Sequence, residues 1–221
     1  MGPIFDTHAH YDSGKFNADR DEVLRAVHDS GVALVVDPGD SGVTSERAVA
    51  RAQAHDFVYA AVGWHPEEAD SWTDSSLAHI RALAAQPKVC AIGEIGLDYY
   101  WHKEEEEHQI QKKMFRAQLD IAREEKLPFM IHSREAAEDT LNIVREYMQG
   151  GMYGGIIHCF SYSREIAAEY LKMGLYLGIG GVVTFKNAKK LKETVQYAPL
   201  SQLVLETDCP YTVSYTHLTL P

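Results

Sequence analysis

Asp6-Thr7-His8-Ala9-His10 follows a short apolar run at residues 3–5 that is typical of a β-strand. Side chains two residues apart in a strand point to the same face, so His8 and His10 present two imidazoles side by side at the strand's end. Two imidazoles at this spacing can form half of a metal site, although strand-end histidines can equally serve only as hydrogen-bonding groups. The rest of the chain therefore has to supply further ligands.

The composition excludes several classes of protein. The 221 residues are 45% hydrophobic and 24% charged, which is ordinary for a soluble globular protein. No apolar run is long enough for a membrane span and no secretory signal precedes the first strand, so we expect a cytoplasmic protein without membrane association. The three cysteines are odd in number and each lies in an apolar run, which fits a reducing compartment.

The formal charge of −11 argues against a broad electrostatic contact with duplex nucleic acid. This net charge does not exclude a small phosphate substrate, because a metal ion or a few local cations can reverse the field inside a cleft.

Apolar, β-branched segments alternate with segments of helical periodicity along the whole chain. Asp74 is expected to cap the third helix, and the acidic residues 104–107 to form the first turn of the fourth. We expect a closed parallel (β/α)8 barrel of the TIM type, with an open doubly wound sheet as the alternative. The eight predicted strands span residues 4–10, 33–37, 58–63, 89–94, 129–132, 155–159, 176–179 and 203–208.

Metal-binding residue types stand at the ends of these predicted strands, and the carboxyl ends of parallel strands meet at one face of a barrel. Any one of them could be an ordinary polar residue at the barrel mouth, but their joint placement predicts a metal centre. Four imidazoles and two carboxylates exceed the ligands of one zinc ion and fit two metal ions. We expect Glu94 to bridge the metals, and Asp208 to contact a metal and accept a proton from water. The residues are His8, His10, Glu94, His132, His158 and Asp208, and His65 follows the third strand as a further candidate.

Six motifs together resemble the TatD family of metal-dependent deoxyribonucleases, which belongs to the amidohydrolase-like (β/α)8 barrels. The likeness extends from about residue 4 to residue 211, with the motifs in the family's order. They are Asp6-Thr7-His8-Ala9-His10, Val62-Gly63-Trp64-His65-Pro66, Gly93-Glu94-Ile95-Gly96-Leu97-Asp98-Tyr99, Ile131-His132-Ser133-Arg134, His158-Cys159-Phe160-Ser161 and Glu206-Thr207-Asp208-Cys209-Pro210-Tyr211.

The resemblance implies a role for each matching position. One metal would be held by His8, His10, Glu94 and Asp208, and the second by Glu94, His132 and His158. The substrate phosphate would lie near His65, Arg134 and Lys186. The ligand mixture suits zinc, manganese or, less well, magnesium.

Five residues within or beside these motifs have other expected roles. Cys159 and Cys209 directly follow ligand positions, so we expect both thiols to point away from the site and pack in the helix layer. Tyr99, Tyr100 and Trp101 follow the Glu94 strand and could either stack on a nucleobase or pack over the barrel mouth.

The predicted activity is two-metal hydrolysis of phosphodiester bonds in DNA. The acidic surface of the protein predicts DNA ends or short single strands as substrates. The sequence indicates no obligatory protein partner. An ester or amide hydrolase on the same barrel, for example one that deacylates aminoacyl-tRNA, is the nearest alternative. A non-catalytic metal-binding module is the other, and the complete ligand set argues against it.

Residues 213–221 have neither helical nor strand periodicity and do not resemble the family's continuation. Residues 213–218 correspond to one reading frame of a common sequencing adapter, so we expect a hydrolase barrel over residues 1–212 and a non-native tail. The resemblance then implies that a last helical segment is lacking. We expect exposed apolar surface on the first and eighth strands and a poorly stable or aggregation-prone chain, because each buried aliphatic side chain contributes about 1.5–3 kcal/mol.

Overall fold

The chain forms a parallel β/α barrel. A computed structural model of the protein describes residues 2–211, and over those residues eight strands are hydrogen-bonded in chain order. Every neighbouring pair is parallel. The predicted barrel is therefore confirmed, and the doubly wound alternative is wrong because its strand order would reverse at a switch point. The strands are β1 (Ile4–Asp6), β2 (Val32–Pro38), β3 (Val58–Val62), β4 (Val89–Asp98), β5 (Phe129–Arg134), β6 (Gly155–Ile157), β7 (Tyr176–Ile179) and β8 (Leu203–Leu205).

Within residues 2–211, seven α-helices alternate with the strands. The acidic first turn of the fourth helix is confirmed, but Thr73 and not Asp74 caps the third. Thr73 and Ser76 bond reciprocally in a capping box, and Asp74 becomes the first helical residue, where its charge favours the helix dipole. None of these helices is long and apolar enough to cross a membrane. They are α1 (Arg20–Asp29), α2 (Gly42–Ala54), α3 (Asp74–Ala84), α4 (Glu105–Glu124), α5 (Ala137–Gln149), α6 (Arg164–Lys172) and α7 (Lys189–Tyr197).

Several strand ends differ from the predicted ones, and the differences affect the site. β1 ends at Asp6 and β8 at Leu205, so the ligand candidates of both strands lie on the segments that follow them. β4 continues to Asp98 and therefore holds Glu94 in its interior. The pairing of β4 with β5 shifts register between Ile92 and Ile95. Such a bulge re-aims side chains, so a residue within a strand can face the barrel mouth.

The segments after β1 and β8 close the barrel by hydrogen bonds. The Asp208 amide donates to the His8 carbonyl at 2.9 Å, and the His10 amide donates to the Cys209 carbonyl at 2.8 Å. These bonds place the candidate ligands of the first and last strands side by side. The ligands therefore depend on the integrity of this seam.

The outer surface of the seam is apolar and exposed among the described residues, as the sequence predicts. Phe5 of β1 is 44% exposed and Leu205 of β8 is 61% exposed. The tail predicted at residues 213–221, and its boundary at residue 212, lie outside the described residues.

Asp6 links the two edge segments through its side chain. Its carboxylate accepts hydrogen bonds from the Thr207 amide at 3.0 Å, the Thr207 hydroxyl at 2.7 Å and the His8 amide at 3.2 Å. Burial raises the pKa of Asp6 to about 6, although the Thr207 bonds act in the opposite direction. At pH 8 the group is therefore a buried carboxylate that relies on these donors.

Thr207→Val is expected to lower the free energy of unfolding at pH 8 by about 1.5–3 kcal/mol, the range for a hydrogen bond to a charged group. Thr7→Val is the matched control, since the Thr7 hydroxyl donates to the neutral Leu205 carbonyl at 3.0 Å. That variant should lose only about 0.5–1.5 kcal/mol. Urea unfolding of both proteins measures the difference, and equal losses would contradict the role given to Asp6.

Candidate metal centre

The structure brings the six predicted metal ligands together at the carboxyl-end mouth of the barrel. The Nε2 atoms of His8 and His10 are 2.8 Å apart. The Asp208 Oδ1 atom lies 3.9 Å from Nε2 of His8, 3.6 Å from that of His10 and 3.9 Å from that of His158. Asp208 has a positive φ of 54°, which the segment after β8 imposes as it returns towards His8.

Glu94 separates the four imidazoles into two groups. Its Oε2 atom lies 3.2 Å from His8 Nε2 and 3.4 Å from His10 Nε2. Its Oε1 atom lies 2.9 Å from His132 Nδ1 and 3.6 Å from His158 Nε2. The side chain is only 3% exposed. Each carboxylate oxygen therefore faces a different pair of nitrogens, which is the arrangement that a bridging ligand requires.

The donor set fits divalent cations. His8 and His10 direct their Nε2 atoms at each other and at the same oxygen of Glu94, so hydrogen bonds among these atoms cannot satisfy them all. A cation at the point where the lone pairs meet would satisfy them together. Imidazole nitrogens and carboxylate oxygens are the ligands that zinc and manganese accept.

Electrostatics in the site favour a charged Glu94. Burial alone would raise the pKa of Glu94, but His8, His158 and His65 hold it well below its ordinary range. Burial would lower the pKa of His10, yet Glu94, Asp40 and Asp208 outweigh it and raise that pKa to about 9. Burial and the neighbouring His158 instead hold the pKa of His8 well below its ordinary range. The metal-free site therefore holds an extra proton on His10 but not on His8, and that proton must leave when a metal binds.

His65 lies beside the candidate ligands, but the nitrogen that it directs at them carries its proton and therefore has no lone pair for a metal. Its Nε2 atom is 3.6 Å from Glu94 Oε1, and its ring meets His132 edge-on. Its Nδ1 atom accepts a hydrogen bond from the Glu67 amide at 3.2 Å. Neutral imidazole with an accepting Nδ1 has its proton on Nε2. His65 thus presents an N–H donor to the site.

Arg134 and Lys186, both predicted near the substrate, occupy different surroundings. The Arg134 guanidinium lies 3.9 Å from the centre of the Tyr100 ring and 5.6 Å from that of Trp101, and it lines the cavity above Glu94. Lys186 is exposed on the segment before α7 and is not among the cavity-lining residues of the described chain.

The three aromatic residues after β4 divide between packing and the cavity. Tyr99 stacks on His108 at 3.6 Å and its hydroxyl donates to Asp139 at 2.7 Å, so it packs. Trp101 is 60% exposed and lines the cavity, where a nucleobase could stack on it.

The direction of the Cys159 thiol stays a prediction, because the strand alternation on which it was based does not apply. β6 ends at Ile157, and Cys159 has a positive φ of 43°, so the alternation of a strand does not extend to it. Ligand atoms of Cys159, His158 and Glu206 lie within 4.8 Å of one another. Cys209 packs against the main hydrophobic core, as predicted.

Three carboxylates without a predicted role face the far side of the imidazoles. Asp98 lies 2.9 Å from His132 Nε2, and it was overlooked because the fourth strand was predicted to end at residue 94. The other two, Glu206 and Asp40, face His158 at 3.2 Å and His10 at 3.6 Å respectively. Asp40 lies two residues after the end of β2, and an acidic residue after that strand was the only signal in the sequence.

The site opens into a cavity of about 460 Å³. Its described lining carries five carboxylates, four imidazoles and one guanidinium, and bound divalent cations would make it more favourable for a polyanion. The lining residues are His10, Asp40, His65, Glu67, Glu68, Glu94, Trp101, His132, Arg134, His158, Asp208 and Tyr211.

Imidazoles and carboxylates gathered at the carboxyl-end mouth of a parallel β/α barrel define the class of metal-dependent hydrolases. The family described as TatD related DNase matches residues 5–217. The chain belongs to this family, whose resemblance the sequence motifs predicted, and it is an enzyme of the metal-dependent hydrolase type.

Individual relatives agree with this assignment. The uncharacterized metal-dependent hydrolase YabD of Bacillus subtilis is 46% identical over 208 residues, which cover 94% of this chain and 80% of YabD. The 3′-5′ ssDNA/RNA exonuclease TatD of Cronobacter sakazakii is 35% identical over 212 residues, or 94% of this chain and 78% of that protein. The crystal structure of YJJV, a TatD homolog from Escherichia coli K12, superposes with a TM-score of 0.86 at 29% identity, covering 94% and 80% of the two chains.

Proposed function

We propose that this enzyme uses two divalent metal ions to hydrolyse phosphodiester bonds at the 3′ end of single-stranded DNA. The observation that carries the proposal is the position of Glu94, with one carboxylate oxygen facing His8 and His10 and the other facing His132 and His158. A relative from Cronobacter sakazakii bears the name 3′-5′ ssDNA/RNA exonuclease, which supports this substrate class.

His8, His10, Glu94 and Asp208 would hold one metal, and Glu94, His132 and His158 the other. Bound there, divalent cations would supply Lewis acidity that stabilises negative charge developing on a phosphate oxygen. Zinc and manganese match the imidazole-rich set better than magnesium does.

The protein's own groups divide the remaining chemistry. The Asp208 side chain is 17% exposed and faces the cavity, so it can accept a proton from an attacking water. The Nε2–H of His65 can donate to a phosphate or leaving-group oxygen, because the Glu67 amide fixes the tautomer. Arg134 can contact a phosphate oxygen while it stacks on Tyr100, which restricts its orientation.

The acidic rim favours a strand end over a long duplex. Glu67 and Glu68 lie in the turn after His65 and line the cavity. A duplex would bring several phosphates close to these carboxylates, whereas a single-strand end brings few. Trp101 offers an exposed ring on which the terminal base could stack.

We also place the enzyme in the cytoplasm, without an obligatory protein partner. All three cysteines, Cys90, Cys159 and Cys209, are free thiols, which supports a reducing compartment.

Chelation of the metals is expected to abolish hydrolysis, and added Mn²⁺ or Zn²⁺ should restore it. The measurement compares single-stranded DNA labelled at the 3′ end, the same strand labelled at the 5′ end, blunt duplex DNA and an aminoacyl ester. We expect early release of the 3′ label from the single strand and slow attack on the duplex. Faster metal-dependent cleavage of the ester would show that the barrel is an ester hydrolase instead.

A further inference from the structure

His132 and His158, the two imidazoles on the Oε1 side of Glu94, are each backed by a carboxylate whose side chain is completely buried. Asp98 Oδ2 lies 2.9 Å from His132 Nε2, and Glu206 Oε2 lies 3.2 Å from His158 Nδ1. Both carboxylate side chains have 0% exposure. A buried carboxylate is costly unless its oxygens have partners, so these positions indicate a specific role.

The geometry points to Asp98 and Glu206 as positioning residues that fix the tautomers of His132 and His158. With the proton of His132 on Nε2, towards Asp98, its Nδ1 lone pair would be free for a metal that Glu94 Oε1 also contacts. With the proton of His158 on Nδ1, towards Glu206, its Nε2 lone pair faces the same place. A carboxylate on the far nitrogen orients a metal-bound imidazole and raises its basicity.

Asp98 is itself held in one orientation. Its Oδ1 atom accepts hydrogen bonds from the Tyr100 amide at 2.9 Å and the Trp101 amide at 3.0 Å. Its Oδ2 atom is thereby left for His132. Since both backbone donors already occupy one oxygen, the carboxylate cannot rotate without losing them.

Glu206 is placed by the segment after β6 and by β7. Its Oε1 atom accepts a hydrogen bond from the Cys159 amide at 2.7 Å. Its Oε2 atom and His158 Nδ1, 3.2 Å apart, are both buried without a hydrogen-bond partner among the described residues, so each is the polar group left to satisfy the other. A Cβ atom on Gly178 of β7 would lie 2.2 Å from Oε2. The absence of a side chain at Gly178 therefore provides the space that this carboxylate occupies.

The other imidazole pair lacks such support. The Nδ1 atom of His8 lies 3.0 Å from the Met130 sulfur, a weak acceptor. That of His10 lies 3.6 Å from Asp40 Oδ1, beyond hydrogen-bond distance. The two metal positions should therefore differ in their dependence on carboxylates behind the ligands. This inference rests on the two-metal part of the proposed function but not on its substrate.

Asp98→Asn and Glu206→Gln test the assignment with little change in shape. The amide oxygen of each variant can retain the backbone donors, which leaves the NH₂ group facing the imidazole. A donor at that place favours the opposite tautomer, with the proton on the nitrogen that should bind the metal. Each variant is expected to bind the second metal about 10–100-fold more weakly.

The measurements use the full chain and need no nuclease assay. Competition with a chromophoric chelator gives the dissociation constants for Zn²⁺, and elemental analysis gives the metal-to-protein ratio. In the Zn²⁺-loaded wild type, ¹⁵N NMR of the histidine rings reports which nitrogen of His132 and of His158 keeps its proton. We expect the Zn²⁺ dissociation constant of the position formed by His8, His10, Glu94 and Asp208 to stay close to that of the wild type. Asp40→Asn is the matched control, and it should leave the second constant unchanged because Asp40 faces the other group.

Two results would overturn the assignment. One is wild-type affinity for the second Zn²⁺ in both variants. The other is a wild-type spectrum in which the proton of His132 lies on Nδ1 or that of His158 on Nε2, a readout that does not depend on whether the variants fold. A protein that binds two metals with the expected tautomers but does not cleave DNA would refute the proposed substrate while leaving the assignment intact.

Discussion

Glu94→Gln should lower the turnover of single-stranded DNA by about a thousandfold or more. The amide oxygen can face only one pair of imidazoles, and the NH₂ group then faces the other pair as a donor. Metal-ion stabilisation of a developing phosphate charge is worth several kcal/mol, and about 1.4 kcal/mol corresponds to a factor of ten in rate. Single-turnover cleavage of a 3′-labelled strand in Mn²⁺, with metal analysis of the same sample, measures both consequences.

Glu68→Gln is the control for this experiment. Glu68 lines the same cavity but is exposed. Its change to glutamine removes the same charge from the chain. We expect it to keep nearly all turnover and its full metal content. Substantial nuclease activity in purified, folded Glu94→Gln protein would show that Glu94 does not bridge two metals.

The sequence could predict which candidate metal ligands come together, because their placement depends on local features. Strand–helix alternation gives the barrel, and a barrel gathers the residues that follow its strands at one face. His8, His10 and Asp208 did not need correctly placed strand ends, since the segments after β1 and β8 stay hydrogen-bonded beyond those ends. Glu94 was found although its strand was predicted too short.

The groups behind the ligands could not be predicted in the same way. Glu206 meets His158 only because β6 and β8 both border β7, and because Gly178 of β7 leaves space for its carboxylate. The tautomer of His65 depends on one backbone amide, that of Glu67, in the turn after β3. These contacts depend on distances of a few tenths of an ångström between separate elements, which residue spacing along the chain does not encode.

Arg51→Met is expected to lower the free energy of unfolding by about 3–5 kcal/mol, the range for breaking one side of a buried ion pair. Asp37, at the end of β2, has 0% side-chain exposure, and the Arg51 guanidinium of α2 donates to its Oδ2 atom. Its Oδ1 atom accepts from the Tyr11 amide at 3.0 Å, which anchors the segment directly after His10. Removal of the guanidinium leaves a buried charge with one backbone donor.

Arg47→Met is the matched control for the ion pair. Arg47 lies on the same helix, its side chain is 61% exposed, and it contacts Asp12 at 3.3 Å. An exposed ion pair of this kind contributes about 0–1 kcal/mol. Urea unfolding of both variants in chelator compares them without a contribution from bound metal, and a similar loss in the two would contradict the role of Asp37.

The loss in Arg51→Met should also depend on pH. Burial raises the pKa of Asp37 and the Arg51 guanidinium opposes that rise, so the variant should have a still higher pKa in the folded state. A carboxyl whose folded pKa exceeds its unfolded value of about 3.9 binds protons preferentially in the folded state. Its favourable contribution is complete below the unfolded pKa and is lost as pH rises through the folded pKa. The difference between variant and wild type should therefore be smaller at pH 5 than at pH 8, and an equal difference at both would show that Asp37 is not the group left unpaired.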